Sequence, residues 1–350
     1  MRIAITGERG FLGYHISQYL TYQLKHTVIS LGRDYQKQID KIKDCDWLIH
    51  CAGVNRGVDV GKSNINIANE LVSLLESNDI SVNLVFISST QEKYDNEYGN
   101  SKRECSIILK EYCQRKETEF IKYEVPNLFG PFGKPNYNSV VATFCYNAVQ
   151  GLESKVSEAE VNLCYVIDAV KVISSFKPNT FEVKKVSVKA LHDLIKGYHD
   201  QYSLGIIPLI EGEFELNLFN TYRSFASCKH NLSRKTDNRG YLIELVKSMG
   251  SESQVFFSVT KPGITRGNHF HFRKIERFCI LSGEAKVCMR KVGEDSIESY
   301  YISGETDSVI DMPALYTHNI TNVGKEDLIC VFWCNEIFNQ EDPDTYFLEV

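Results

Sequence analysis

"MRIAITGERGFLG", residues 1–13, sets a short β-branched run directly against three glycines in a G-x-x-G-x-x-G spacing. "RIAITG" reads as a strand, and "GFLGYHISQYLTYQL" continues it with helical periodicity. In that setting Gly7 permits a tight turn and Gly10 lets backbone approach a pyrophosphate. Gly13 lets the helix pack closely on the sheet, with the phosphates at the helix N-terminus. The strand–turn–helix context, more than the glycines themselves, points to a dinucleotide site.

Further along, "HTVISLG" and "DWLIHCAG" are a second and third strand, "INIANELVSLLESN" a helix and "VNLVFISS" a fourth strand. Strands alternating with helices predict a doubly wound parallel sheet covered on both faces, an α/β Rossmann-type fold. After Gly130 the pattern loosens into "PFGKPNYNSVVATFCYNAVQG" and further helices, the material of a small substrate subdomain. Beyond about residue 225 the texture changes to short strands between turn signals: "QVFFSVT", "RFCILSG", "EAKVCMR", "ESYYISG", "DSVIDMP" and "DLICVFW". These predict an all-β barrel or sandwich. "SFASCKHNLSR" (224–234) holds neither period, so the expected domains are 1–228 and 229–350.

The 350 residues, 43% of them hydrophobic and 24% charged, suit a two-domain globular protein. A net charge of −6 without a Lys/Arg block argues against nucleic-acid binding. No run approaches the ~18 apolar residues of a membrane span. Strand residues begin at Ile3, which leaves no room for a signal peptide. The eleven cysteines form no C-x-x-C pair and are expected as reduced thiols. These features predict a cytoplasmic protein without membrane or nucleic-acid partners.

Arg33 ends the second strand, where an acid would serve the ribose hydroxyls of NAD. Arginine there suits the 2′-phosphate of NADP, although adjacent Asp34 leaves a plain surface arginine open. "Tyr98-Gly-Asn-Ser-Lys102" puts a phenol and an ammonium on one helix face. The cation can lower the phenol's pKa, and the phenol can then pass a proton to a carbonyl oxygen. Tyr112 and Lys116 repeat the spacing, but only Tyr98 follows a strand ending in "Ser88-Ser89-Thr90". Those hydroxyls could polarise the same carbonyl, or simply form a turn.

In these features the chain resembles the extended short-chain dehydrogenase/reductase family over roughly residues 1–225. The resemblance implies a catalytic set of Ser89 (or Thr90), Tyr98 and Lys102, and NADPH as cofactor. It also implies cofactor contacts along Gly7, Arg9, Gly10, Phe11, Leu12 and Gly13, at Arg33, and at Ala52 and Gly53 of "HCAG". "PNLFG" (126–130) and "KPNYN" (134–138) imply substrate contacts at Asn127, Lys134, Asn136 and Asn138. Glu124 departs from the basic residue common in that family.

"GNHFHFRKIERF" (267–278) resembles the first cupin motif: Gly263, His269-x-His271, Glu276 and Gly283 at its spacing. Pro313, His318 and Asn322 resemble the second, with Leu315 where that motif has glycine. Alternate residues of a strand face one way, so His269 and His271 point together. With Glu276 and His318 they can bind a divalent metal such as zinc, the first expectation, or manganese, nickel or iron. An isolated H-x-H is more often a surface pair. "Arg266-Gly-Asn-His269-Phe" also resembles cupin-fold nucleotide-sugar epimerases, in which the histidine removes a proton beside a ketone. His269 is therefore either ligand or general base.

The whole length resembles one bifunctional family of bacterial capsule and O-antigen biosynthesis, carried by "AGVNR", "PNLFG", "KPNYNSVVATFCY", "KPGITRGNHFH", "YTHNI" and "DTYFLEV". That resemblance implies a UDP-linked 4-keto-6-deoxy-N-acetylhexosamine substrate, UDP-2-acetamido-2,6-dideoxy-L-arabino-hexos-4-ulose. The cupin would epimerise carbon 3 and the reductase reduce carbon 4, giving UDP-2-acetamido-2,6-dideoxy-L-talose on the route to UDP-N-acetyl-L-fucosamine. A homodimer is implied as well. Two other readings are an NADPH-dependent 4-keto-sugar reductase whose cupin is only a metal-stabilised dimerisation module, and an NADP-binding redox sensor without turnover.

Overall fold

The computed structural model describes residues 1–32, 35–232, 234–237, 240–243, 245–249, 253–336 and 338–350. The first half winds as β1 (Arg2–Thr6), α1 (Phe11–Gln18), β2 (Thr27–Leu31), β3 (Trp47–His50), α2 (Val60–Ser77), β4 (Asn83–Ser89), α3 (Glu97–Lys116) and β5 (Phe120–Val125). The strands form a parallel sheet in the order β2-β1-β3-β4-β5. The inner strands β1, β3 and β4 are buried on both faces, as near-continuous apolar runs require, while the edge strand β2 is largely open. Ala4, Leu48, Leu84 and Phe86 of the sheet pack with Leu71 and Leu75 of α2 and Leu109 of α3. The order reverses between β1 and β3, which opens a crevice at their carboxyl ends.

β6 (Asn127–Phe129), α4 (Val140–Gln150), β7 (Glu160–Tyr165), α5 (Val166–Ile173), β8 (Lys184–Ser187), α6 (Val188–Tyr202) and α7 (Gly212–Arg223) follow. The strands β6, β7 and β8 make a small second sheet that the sequence pattern did not announce. "EVNLCY" is too short and too half-exposed to stand out from its helical surroundings.

Beyond residue 228 two antiparallel sheets face each other. One runs Lys229–Asn231, Ser308–Met312, Glu276–Ser282, Leu328–Cys334, Gln254–Thr260; the other runs Ile297–Ser303, Glu284–Lys291, Tyr316–Asn322, Thr265–Phe270, Tyr346–Phe347. Phe278, Ile280, Ile310, Met312 and Leu328 of the first meet Val287, Met289 and Ile320 of the second. Alternate inward residues from two sheets are what a cupin double-stranded β-helix needs for its core. The α/β-plus-cupin architecture expected from the sequence is the one observed.

By compactness the chain divides into one unit of residues 1–129 and 161–186, and a second of 130–160 and 187–350. Helices α4, α6 and α7 therefore belong with the β-helix. Within that second unit the join is polar and buried. Arg277 grips Asp311 with Nε at 2.7 Å and Nη2 at 3.0 Å, and donates from Nη1 to Gly205 O at 2.8 Å. Tyr202 of α6 also donates to Asp311. Arg223 of α7 reaches Met312 O at 2.6 Å. Among the described residues no helix is long and apolar enough to cross a membrane. All eleven cysteines are unpaired; burial pushes Cys51 and Cys164 up to about 12, so these remain protonated thiols.

Candidate active and metal sites

Gly7 leaves β1 at φ +72°, and a Cβ there would lie 2.7 Å from Ala52 N. Gly10 N donates to Gly7 O at 2.9 Å, and Gly10 caps α1. A Cβ on Gly13 would lie 2.3 Å from Gly7 O. The third glycine thus brings α1 against the turn itself, not only against the sheet. The result is a bare backbone cradle at a helix N-terminus beside the crevice, which fits a pyrophosphate. Phe11 and Leu12 are half-buried in the first turn of α1. Arg9 is exposed, with Nε 3.5 Å from Glu8 Oε1. Arg33 lies outside the described residues.

The end of β3 adjoins α3, which carries Tyr98 and Lys102. At Gly53 an added Cβ would lie 3.3 Å from both Lys102 Nζ and Asn64 Oδ1. Asn64 pins the strand end, accepting from Val54 N at 2.7 Å and donating to Ser101 Oγ at 3.1 Å. Lys102 is buried, donates to Ile87 O at 3.0 Å and stands 5.8 Å from the centre of the Tyr98 ring. Burial lowers its pKa. Gly99, inside the Tyr98–Lys102 motif, decides how near this helix comes: a Cβ would lie 2.3 Å from Gln91 O. Asn96 caps the helix by accepting from Gly99 N at 2.8 Å.

The three strand-end hydroxyls differ in their commitments. Ser88 is buried and bonded to Glu92. Glu92 in turn holds Lys122 at 2.8 Å, and Lys122 holds Glu124 at 2.9 Å. Glu124 is thereby paired within β5 and serves this chain of charges. Ser89 accepts from Gln91 N at 3.2 Å, which leaves its O–H to donate elsewhere. Thr90 opens the short helical turn Thr90–Lys93. Both remain half-buried. The decoy pair is structural: Tyr112 donates to Ile80 O at 2.8 Å and Lys116 pairs with Asp79.

Of the substrate candidates, Asn127 is exposed at the start of β6. Lys134, Asn136 and Asn138 are exposed on one loop of the second unit. Lys134 lies over the Tyr137 ring at 4.9 Å. The loop is anchored by Phe132, which packs on Tyr316 and carries Lys291 Nζ 4.3 Å over its ring.

The four cupin residues converge. One ligand atom from each of His269, His271, Glu276 and His318 lies within 4.8 Å of every other. Gly267 at φ +102° and Asn268 at φ +57° form a bulge against the Tyr316–Asn322 strand, after which His269 sits opposite His318. His271 Nε2 is 3.1 Å and His318 Nε2 3.6 Å from Glu276 Oε2. Their other nitrogens lie against backbone carbonyls, His271 Nδ1 at 2.6 Å from Asp344 O and His318 Nδ1 at 3.1 Å from Tyr316 O. With a proton held at Nδ1, Nε2 is free to donate to Glu276 or, once that proton leaves, to turn its lone pair to an ion, the arrangement a metal ligand needs. Burial would raise Glu276, but the bonds and charges of His271 and His318 hold it well below the carboxylate range. Burial and the neighbouring imidazoles lower His269 to about 3. Three neutral-capable imidazoles and a carboxylate suit a divalent ion.

Leu315, in the motif's glycine position, keeps the glycine conformation at φ +62°. Its side chain is buried, and its N donates to His271 O at 2.8 Å. The turn survives because the buried side chain offsets a left-handed backbone worth about 1–2 kcal/mol.

A Rossmann cradle with a Tyr/Lys helix in one unit and a convergent, partly buried His₃Glu cluster in the other define a nucleotide-dependent short-chain enzyme joined to a cupin. Residues 3–183 match the NAD dependent epimerase/dehydratase family and residues 235–346 the polysaccharide biosynthesis C-terminal domain. The chain belongs to that epimerase/dehydratase family, whose members use a nicotinamide cofactor. It is 30% identical to the UDP-2-acetamido-2,6-beta-L-arabino-hexul-4-ose reductase of Pseudomonas aeruginosa, over 100% of this chain and 99% of the relative. The crystal structure of the capsular polysaccharide assembling protein CapF from Staphylococcus aureus is similar over 100% of both chains, at 35% identity and TM-score 0.62. A UDP-glucose 4-epimerase from Thermotoga maritima shares the fold over 64% of this chain and 98% of its own, at 18% identity and TM-score 0.53.

Proposed function

We propose that this protein is a bifunctional enzyme of polysaccharide biosynthesis acting on a UDP-linked 4-keto-6-deoxy-N-acetylhexosamine. Its cupin epimerises carbon 3 and its Rossmann unit reduces the carbon 4 ketone with NADPH. The observation that carries the reading is one chain holding both the Tyr98/Lys102 helix and a convergent His₃Glu cluster. A ketone at carbon 4 acidifies the carbon 3 proton, because the carbanion delocalises onto oxygen. Epimerisation alone reaches a mixture of the two configurations. Reduction removes the ketone, and with it the acidity, so the inverted centre is locked. The product is then UDP-2-acetamido-2,6-dideoxy-L-talose, a precursor of UDP-N-acetyl-L-fucosamine.

In the reductase, bound NADPH supplies the hydride. The Gly7–Gly13 cradle would hold its pyrophosphate, with Ala52 and Gly53 lining the adjoining strand end, and Arg33 would serve its 2′-phosphate. Tyr98 gives its phenolic proton to the carbon 4 oxygen as the hydride arrives, so ketone plus hydride plus proton balance to an alcohol. Lys102 holds the ribose and stabilises the phenolate left behind. Ser89, or Thr90, donates to the same oxygen; Asn127, Lys134, Asn136 and Asn138 hold the sugar nucleotide. In the cupin, His269, His271, Glu276 and His318 would hold a divalent ion, zinc first, whose chemistry is polarisation of a carbonyl oxygen. His269 has the alternative role of taking the carbon 3 proton itself.

The reading is tested by incubating the protein with the 4-keto sugar nucleotide in D2O. Deuterium should enter carbon 3 without NADPH, and NADPH should be consumed when it is present. Reduction without any carbon 3 exchange would remove the epimerase.

A second reading, a cupin serving only as a metal-stabilised dimerisation module, draws on the strand Gln254–Thr260. It closes its sheet at one edge and exposes Val255, Phe257 and Val259. Such an edge pairs with its own copy across a two-fold axis, so a homodimer is proposed under either reading. Phe257→Glu should shift the protein to monomer in sedimentation; an unchanged dimer would move the interface elsewhere. Unpaired thiols suit the reducing cytoplasm, to which we assign the enzyme.

A further inference from the structure

Residues 342–348 supply no ligand to the His₃Glu cluster, yet they touch the immediate surroundings of three of its members. Asp344 is the centre of that contact. Its Oδ1 accepts from Phe272 N at 3.1 Å, and its Oδ2 from Arg273 N at 2.9 Å and Lys274 N at 3.0 Å. Its backbone carbonyl takes His271 Nδ1 at 2.6 Å. The residue is buried and sits at φ +42°, a left-handed conformation that aspartate tolerates better than most side chains. In that conformation one residue presents both its carboxylate and its carbonyl to the loop after His271.

The flanking residues extend the same strap. Pro343 O accepts from Lys274 Nζ at 2.6 Å, and Asp342 pairs with Arg273 at 3.0 Å. Phe347 lies opposite His269 in the sheet, and Leu348 N donates to Asn268 O at 2.9 Å. Thr317, next to His318, donates to Leu348 O.

We propose that Asp344 is the positioning residue of the cupin ion site. Its carboxylate gathers three backbone N–H groups, which fixes the 272–274 loop and its own backbone. Its carbonyl then holds the His271 proton at Nδ1 and turns Nε2 toward Glu276. The charge matters because one carboxylate accepts three donors at once, and hydrogen bonds to an ionised acceptor are the stronger kind. This inference rests on the metal reading given above.

Asp344→Ala and Asp344→Asn test it in the full chain, through zinc affinity measured against a chromophoric chelator and the d–d spectrum after cobalt loading. Loss of a partner behind a ligating histidine typically costs about ten- to a hundredfold in metal affinity. Asp344→Ala should show that loss with altered cobalt bands. Asp344→Asn, which keeps one acceptor oxygen, should fall between it and wild type, and NADPH affinity should not change. A third arm needs no metal: ¹H–¹⁵N spectra of the apo protein should show the His271 Nδ1–H proton protected from exchange with water, and that protection lost in Asp344→Ala. Zinc affinity within twofold of wild type in both variants overturns the proposal. If wild type takes up no ion, the metal reading falls, and an unchanged exchange rate of the His271 Nδ1–H proton in the variants would overturn the positioning role too. Should Asp344→Ala fail to fold, the asparagine variant decides by the same measurements.

Discussion

At the scale of single residues, the Tyr98/Lys102 site depends on a helix pressed very close to a strand end. Tyr98 and Lys102 share a face by spacing, but Gly99 allows α3 to meet the turn after Ser89, since a Cβ there would lie 2.3 Å from Gln91 O. The buried Lys102, tied to Ile87 O at 3.0 Å, then stands beside Gly53 at the end of β3. Tyr98→Phe keeps the ring and the packing and removes only the transferable proton. NADPH oxidation should fall by about 10²–10⁴-fold, the usual worth of a positioned acid, while carbon 3 exchange stays near wild type. Reductase turnover undiminished in that variant would sink the assignment. The motif and its rival at Tyr112 were legible as spacing, and the preceding strand separated them. Gly99 and Asn64 were not, because what a glycine spares or an amide pins depends on backbone brought near only by folding.

At the scale of elements, the cupin strands were legible because each is a short apolar run ending in a turn signal. The six quoted runs fall on Gln254–Thr260, Glu276–Ser282, Glu284–Lys291, Ile297–Ser303, Ser308–Met312 and Leu328–Cys334. The strand Glu160–Tyr165 lacked those boundaries and was missed. Alternation also accounted for His269 and His271 pointing together, but not for the bulge that aims them. Gly267 at φ +102° would place a Cβ 2.8 Å from His318 O, so alanine there must push the Thr265–Phe270 strand away from His318. Gly267→Ala should weaken zinc binding by at least about tenfold, comparable to losing a ligand's support. It should also destabilise the fold by roughly 1–3 kcal/mol, as backbone strain of this kind does. Wild-type zinc affinity in this variant would mean that the bulge does not set the ligand geometry.

At the scale of the molecule, the change of texture near residue 228 marks where helices give way to strands, while compact packing groups residues 187–350 together. The sequence could not show this. Arg277 and Asp311 look like ordinary outward strand residues, and the tyrosine that completes their burial, Tyr202, lies 109 positions before Asp311. Burial lowers Arg277 to about 10, so it stays charged at neutral pH and needs its carboxylate. Removing one member of a buried pair leaves the other charge stranded, at a cost of roughly 3–5 kcal/mol. Asp311→Ala should therefore lower the unfolding temperature of the unit that holds α6, α7 and the β-helix by about 10 °C. Arg277 follows Glu276 directly, so zinc occupancy should fall along with it. NADPH affinity should be unaffected, since the Gly7–Gly13 cradle and Lys102 belong to the other unit. The double variant Arg277→Met/Asp311→Leu removes both charges, and its stability should recover toward wild type, because apolar replacements of buried pairs are often neutral or better. A single variant as stable as wild type would show that the pair does not join the helices to the β-helix. Loss of NADPH binding in step with unfolding would show instead that the two units stand or fall together.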